Sequence, residues 1–394
     1  MQTTDKSIAT DGNAQSSERE RIAPAFRGYY DAVLGFRNYW YPALFVAELG
    51  DEPIKVTMLG ENILIKKIDD KVYAIEDRCA HRLVPLSKKI ECHSKNTITC
   101  WYHGWTFNWK DGTINTIITE PNSALIGKPG VKSYPVEVYK GLVFVYIGDG
   151  EPRKLSDNLP PGFVEPDRVM HGIRRVVDSN WRWGCENGFD STHIYIHRNS
   201  KLLQMTEAKI PLGLVPAGRM VVENYDKHDP IGVRESTLEN FTPVFSSQIE
   251  DVTISARRNP PGWVAPDGPP PVSAGSIWMP GVLQIETAVI PHQNQYEFYV
   301  PIDEKRHMYF QLLGKTCKTE EEATEHVRLV DEVWTDLQLH GFNDDDVWAR
   351  EAMEDAYTNG HGWTRERLFK PDMATTEWRK MASKHHRGIQ KRGA

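Results

Sequence analysis

The chain has 394 residues, of which 40% are hydrophobic and 26% charged, and a formal net charge of -7. A single core rarely grows past about 250–300 residues, so two domains are expected. Net acidity argues against nucleic acid as a partner, because phosphate recognition needs a basic surface, and no apolar run approaches the roughly 18 residues that would span a bilayer.

In chain order, residues 1–22 are polar and read as a mobile tail. The start lacks the charged and apolar pattern of a signal peptide. The five cysteines, Cys79, Cys92, Cys100, Cys185 and Cys317, are too few and scattered for a disulfide framework. Both observations point to the cytoplasm. An aromatic run from Phe36 to Pro42 marks entry into packed structure. Strand-like stretches follow at Lys55–Leu59, Asn62–Ile68, Val72–Glu76, Thr97–Trp101, Trp105–Asn108, Val136–Tyr139 and Leu142–Ile147, separated by turn signals such as Asp69-Asp70 and Asp111-Gly112. This is an all-β module, and Gly148 to Gly162 reads as the domain boundary. Beyond it the pattern is α+β. Arg174–Val177, Met220–Tyr225, Ser276–Met279, Val282–Glu286, Tyr296–Pro301 and His307–Leu313 read as strands of one antiparallel sheet. A long loop is expected from Asn259 to Pro271, and helices over Glu320–Leu339 and Asp344–Tyr357, broken at Gly341.

The β module contains Cys79-Ala80-His81 and, farther on, Cys100-Trp101-Tyr102-His103. Each short loop offers one thiolate and one imidazole. Two such loops face to face give two sulfurs to one iron and two ring nitrogens to another, the ligand set of a Rieske [2Fe-2S] centre. A zinc site of two cysteines and two histidines is the alternative, but zinc fingers usually pair cysteine with cysteine and histidine with histidine. Leu83 and Tyr102 stand where respiratory Rieske proteins carry a disulfide, which points to the oxygenase branch. Cys92-His93 is read as a bystander pair on a strand, with side chains facing opposite ways. Arg82, Lys88, Lys89 and Lys95 around the loops suit an acidic electron carrier, or are simply a solvated face.

A second constellation is Asp190-Ser191-Thr192-His193-Ile194-Tyr195-Ile196-His197. On a helix, His193 and His197 share a face one turn apart, with Asp190 one turn earlier. Ile194 stands where a zincin would carry its catalytic glutamate. Two histidines need one carboxylate to complete the facial triad of a non-haem Fe(II) oxygenase. Asp344, Asp345 and Asp346 are the candidates. Such acids also suit a first helical turn, with Asn343 as its cap.

At these residues the chain resembles the α subunits of Rieske non-haem iron aromatic-ring-hydroxylating oxygenases, and more narrowly those of the carbazole branch. The likeness runs from about Leu34 to Gln390 and rests on Leu34–Pro42, Thr97–Trp105, Glu186–His197 and Gly341–Met353. It implies the division 1–22 tail, 23–39 lead-in segment packed on the catalytic domain, 40–150 Rieske domain and 151–394 catalytic domain of helix-grip type. It places the iron carboxylate at Asp346, with Asp345 as the fallback. It makes Asp190 the acid that joins a Rieske histidine of one subunit to an iron-ligand histidine of the next, hence a homotrimer. Also implied are Fe(II), dioxygen as co-substrate, and electrons from NAD(P)H through a reductase and a ferredoxin. The Gly188 carbonyl would accept a substrate N–H in a pocket lined by Ile194, Leu283, Ile285, Ala288 and Phe342. Ala288 replaces a bulkier aromatic residue of that branch. The implied reaction is angular dihydroxylation of carbazole or of dibenzofuran- and dioxin-like rings. A monooxygenase of the same architecture acting on a heteroaromatic or methoxyarene is the alternative, and a Rieske electron-transfer protein is the alternative from another class.

Overall fold

The computed structural model describes residues 18–190, 192–200, 202, 213–216, 222–235, 241–244, 274–286 and 293–392. The N-terminal part is built of three small antiparallel sheets. One joins Tyr39–Phe45, Leu142–Ile147 and Val136–Tyr139. Its central strand, Leu-Val-Phe-Val-Tyr-Ile, is buried at every position, as expected of an apolar run covered on both faces. A second joins Ile54–Met58, Glu61–Ile68, Lys71–Glu76 and Ser133–Tyr134, and a third joins Thr97–Thr99, Trp105–Asn108 and Ile114–Ile117. Leu64, Ile75, Leu86, Ile98, Phe107 and Trp109 form a core of their own here, and Cys79 and Cys100 belong to it. Cys92 and His93 lie in a loop rather than on the expected strand.

The C-terminal part is organised on a seven-stranded sheet with every pairing antiparallel. Its order is Arg168–Val177, His307–Thr316, Gln293–Pro301, Val282–Glu286, Ala274–Trp278, Gly232–Glu235 and Val222–Tyr225. Side chains alternate across the strand Gln293–Pro301. Tyr296 and Phe298 point toward the β module and meet Phe163 and Phe144 edge-on. Gln295, Glu297 and Tyr299 point the other way, toward the helices. The fold is therefore α+β, with helices gripped against one face of an antiparallel sheet.

Those helices are Trp181–Gly188, Glu320–Leu329, Asn343–Thr358 and Met373–His385. The expected helix over Glu320–Leu339 changes character midway. From Val330 to His340 it is a π-helix, and Gly341 N–H closes it on Asp336 O at 2.8 Å. Apolar spacing reports burial, not hydrogen-bond pattern, so the sequence reads the two halves alike. The short helix Arg27–Asp31 packs on Met373–His385. The expected tail 1–22 lies mostly outside the described residues, as do the loop from Asn259 to Pro271 and the start of the strand expected at Met220. No described helix is long and apolar enough to cross a membrane.

Candidate metal centres

The loops at Cys79 and Cys100 share one hydrogen-bond pattern. Leu83 N–H donates to Cys79 O and Cys79 N–H to Val84 O, both at 2.9 Å; Gly104 N–H donates to Cys100 O at 3.0 Å and Cys100 N–H to Trp105 O at 2.7 Å. Each loop turns through a positive φ, 60° at Leu83 and 70° at Gly104. Leucine bears strain there, and at Gly104 an added Cβ would lie 2.9 Å from the Ile118 Cβ. The outcome is two tips presenting like groups to one point. Both thiols are buried, and the imidazoles of His81 and His103 are paired, with ring centroids 4.6 Å apart. His81 is stacked flat on Trp105. Burial is the largest influence pushing the Cys79 thiol up to about 11, opposed by the backbone at His81 and Arg82 and reinforced by the neighbouring Cys100. Two neighbouring sulfurs and two paired imidazoles on matching loop tips are the donor set of a cluster in which two cysteines ligate one iron and two histidines the other.

The second centre is assembled from two elements. His193 and His197 lie on a 3-10 helix, His193–Asn199, rather than an α-helix. Asp346 comes from the first turn of Asn343–Thr358. Asp346 Oδ1 lies 3.1 Å from His193 Nε2 and 3.4 Å from His197 Nε2, and the ligand atoms of all three residues fall within 4.8 Å of one another. Burial, the largest single influence, favours neutral His197, yet Asp346 and Asp345 together outweigh it and push its pKa up to about 9. Burial likewise opposes ionised Asp346, but His197 and His193 hold the carboxyl well below its usual range.

The remaining ring nitrogens have carboxylates of their own. His197 Nδ1 lies 3.4 Å from Asp345 Oδ2, and His193 Nδ1 3.9 Å from Asp190 Oδ2. This is the carboxylate–histidine–metal pattern, in which an outer acid fixes the ring and its tautomer. Among the described residues His197 Nε2 and Asp346 Oδ1 are buried without a hydrogen-bond partner. Such groups are costly unless something satisfies them, and a divalent iron at the convergence point does. The donor set, two imidazoles and a carboxylate, matches a non-haem Fe(II) facial site.

Two family models divide the chain accordingly. Residues 39–135 match the Rieske [2Fe-2S] domain, and residues 146–390 match the homotrimeric ring hydroxylases. The chain belongs to the ring-hydroxylase family. Its relatives include the terminal oxygenase component of carbazole 1,9a-dioxygenase from Sphingomonas sp., 46% identical over 95% of this chain and 98% of that protein. Among solved structures, the terminal oxygenase of carbazole 1,9a-dioxygenase from Nocardioides aromaticivorans IC177 superposes with a TM-score of 0.86 at 45% identity, covering 93% of this chain and 99% of that one. The oxygenase in a reduced oxygenase–ferredoxin complex of carbazole 1,9a-dioxygenase superposes with a TM-score of 0.87 at 42% identity, covering 95% and 96%.

In this ring hydroxylase the three consecutive acids part company. Asp344 pairs with Arg175, Asp345 meets His197, and Asp346 meets both histidines. Asn343 is not the cap that its position suggests. It is the first helical residue, and its amide donates to Glu297 Oε1 and Tyr309 Oη, each at 3.0 Å. Phe342 stacks on His197 with centroids 3.7 Å apart. Leu283 is buried, Ile285 follows on the same strand face, and Gly188 sits over Leu283. Ala288 lies outside the described residues, as does the side chain of Ile194. The residues the sequence did not flag are Glu297 and Arg350. The signal for Glu297 was the polar alternation Gln293, Gln295, Glu297 on a strand whose other positions are apolar or aromatic but for Asn294.

Gly188 has a steric reason to lack a side chain. A Cβ there would fall 2.0 Å from Tyr299 Oη and 2.9 Å from Leu283 Cδ2. Gly188→Ala is expected to destabilise the fold by about 1–3 kcal/mol through overpacking. Thermal denaturation of the purified variant checks this; an unchanged midpoint would show that Tyr299 yields freely.

Proposed function

We propose that this protein is the terminal oxygenase of a multicomponent dioxygenase that dihydroxylates a polycyclic (hetero)aromatic at the expense of dioxygen and NAD(P)H. The observation that carries this reading is the convergence of His193, His197 and Asp346 behind a Rieske module in one chain. An electron-transfer protein has no use for that triad. Cys79 and Cys100 would hold one iron of the cluster and His81 and His103 the other; His193, His197 and Asp346 would hold the mononuclear iron. When bound, the cluster supplies single electrons and the mononuclear iron supplies dioxygen activation.

The chain's own residues do the rest. Asp345 and Asp190 orient the two imidazoles, and Asp190 carries the link to a Rieske histidine of the neighbouring subunit in a homotrimer. Its geometry suits that role, since Oδ1 is held by Thr192 N–H at 2.8 Å and Thr192 Oγ1 at 2.7 Å while the side chain keeps 32% of its surface exposed. Phe342, Leu283 and Ile285 keep water from the substrate's rings. The Gly188 carbonyl accepts a ring N–H and so fixes which carbons face the metal. A ferredoxin, the partner of the related oxygenase in its complex, delivers the electrons that a reductase takes from NAD(P)H. Residues 40–150 are assigned to the Rieske domain and 151–394 to the catalytic domain, with the segment 23–39 leading in across the latter. Five cysteines with no disulfide among them suit the cytoplasm.

The decisive experiment supplies carbazole, dibenzofuran, dibenzo-p-dioxin, fluorene and biphenyl with isotopically labelled dioxygen, a ferredoxin and a reductase. Two labelled atoms entering adjacent ring carbons, with carbazole preferred, are expected. Incorporation of one atom, or demethylation of a methoxyarene in place of ring attack, replaces this reading with a monooxygenase.

A further inference from the structure

We infer that the buried ion pair of Glu297 and Arg350 is a positioning device that fixes the iron carboxylate Asp346 against the segment carrying the two histidines. It rests on the iron site proposed above and deepens it. Glu297 projects from the strand Gln293–Pro301 toward the helices and is 2% exposed; Arg350, on the helix Asn343–Thr358, is fully buried. Arg350 Nη2 lies 3.4 Å from Glu297 Oε2, and Arg350 Nε donates to Asn187 Oδ1 at 2.6 Å. The guanidinium also lies over Tyr309, 4.4 Å from its centroid, and 5.2 Å from that of Tyr299.

The placement of these contacts along the helix gives the pair its role. Asn343, three residues before Asp346, donates to Glu297 Oε1; Arg350, four residues after it, meets Glu297 Oε2. Residues three and four apart lie on one helix face. One carboxylate in the sheet therefore grips the helix one turn before and one turn after the metal ligand, and sets its rotation. Through Asn187, the same guanidinium reaches the C-terminal end of Trp181–Gly188, the segment that runs on through Asp190 to His193. The two halves of the triad are tied through one group.

Stability alone is a poor reason for such a pair. Replacing a buried ion pair by well-packed apolar residues is often neutral or stabilising, and this contact is long. Arg350 Nη1 is buried without a partner among the described residues. The geometry serves connection better than attraction.

The test uses the reconstituted trimer with two variants, Arg350→Lys, which keeps the charge but loses the planar fork, and the double variant Glu297→Met with Arg350→Leu, which removes both charges together. Each is expected to keep the cluster spectrum of the parent. Each should release its mononuclear iron to a chelator about 10- to 100-fold faster, the range seen when groups behind a metal ligand are removed. The EPR spectrum of the nitric oxide adduct should change as well. Parental release rates and nitrosyl spectra in whichever variant retains the cluster would overturn the positioning role. A parent protein that holds no mononuclear iron would instead overturn the proposed function.

Discussion

Asp346→Ala protein is expected to keep the brown colour and rhombic EPR signal of its cluster while holding less than about a tenth of the parent's mononuclear iron. The reason lies in the geometry: one oxygen of Asp346 is the point on which both His193 Nε2 and His197 Nε2 converge. Two imidazoles without that carboxylate leave a weaker, neutral donor set for a divalent ion. The cluster loops belong to a separate small core, so their content should not follow. Turnover of aromatic substrate should fall to background. Asp345→Ala is the control, because Asp345 touches His197 on its other nitrogen and orients the ring. It should weaken iron binding about tenfold and no more. Full iron content in the Asp346 variant, with loss in the Asp345 variant, would exchange the two roles.

The second large effect separates metal content from activity. Asp190→Asn should leave both centres loaded and reduce turnover by at least about 100-fold. The amide is nearly isosteric, and Oδ1 can still accept from Thr192. It cannot offer an acceptor on both sides at once, since one oxygen has become a donor. The imidazole of His193 then loses its link to the neighbouring subunit. Metal analysis, the visible spectrum and substrate turnover on one preparation give the answer. Undiminished turnover would remove Asp190 from the path between subunits.

Much of this site was legible because its parts are local in sequence. Cys79 and His81, Cys100 and His103, and His193 and His197 each lie within one turn or one tip, so spacing suggested the cluster ligands, and the cluster motif upstream gave the weaker His193–His197 spacing its meaning. The strands at Asn62–Ile68 and Leu142–Ile147 were legible for a similar reason, since alternation and continuous apolar runs report burial directly. The carboxylate was not. It is brought in from another helix by folding, and three acids in a row offered no way to choose among them by residue type, so only the family resemblance pointed to Asp346. Asn343 misled because its residue type suits a helix cap, whereas its amide is taken up by Glu297 and Tyr309. The helix Trp181–Gly188 was invisible to periodicity because nearly all of it is buried, charged residues included. The grip of Glu297 on Arg350 depends on two residues that look ordinary in isolation.

The run Asp344-Asp345-Asp346 carries a wider consequence. Written as letters it is a repetition, and repetition suggests redundancy. A helix, however, turns about 100° per residue, so neighbours look in different directions. Here one braces the sheet through Arg175, one aims an imidazole and one closes the ligand set. None can stand in for another. Insertion or deletion of a single residue ahead of the run would pass each duty to a side chain pointing the wrong way, so a change in length here should disable all three roles at once, where a substitution removes only one.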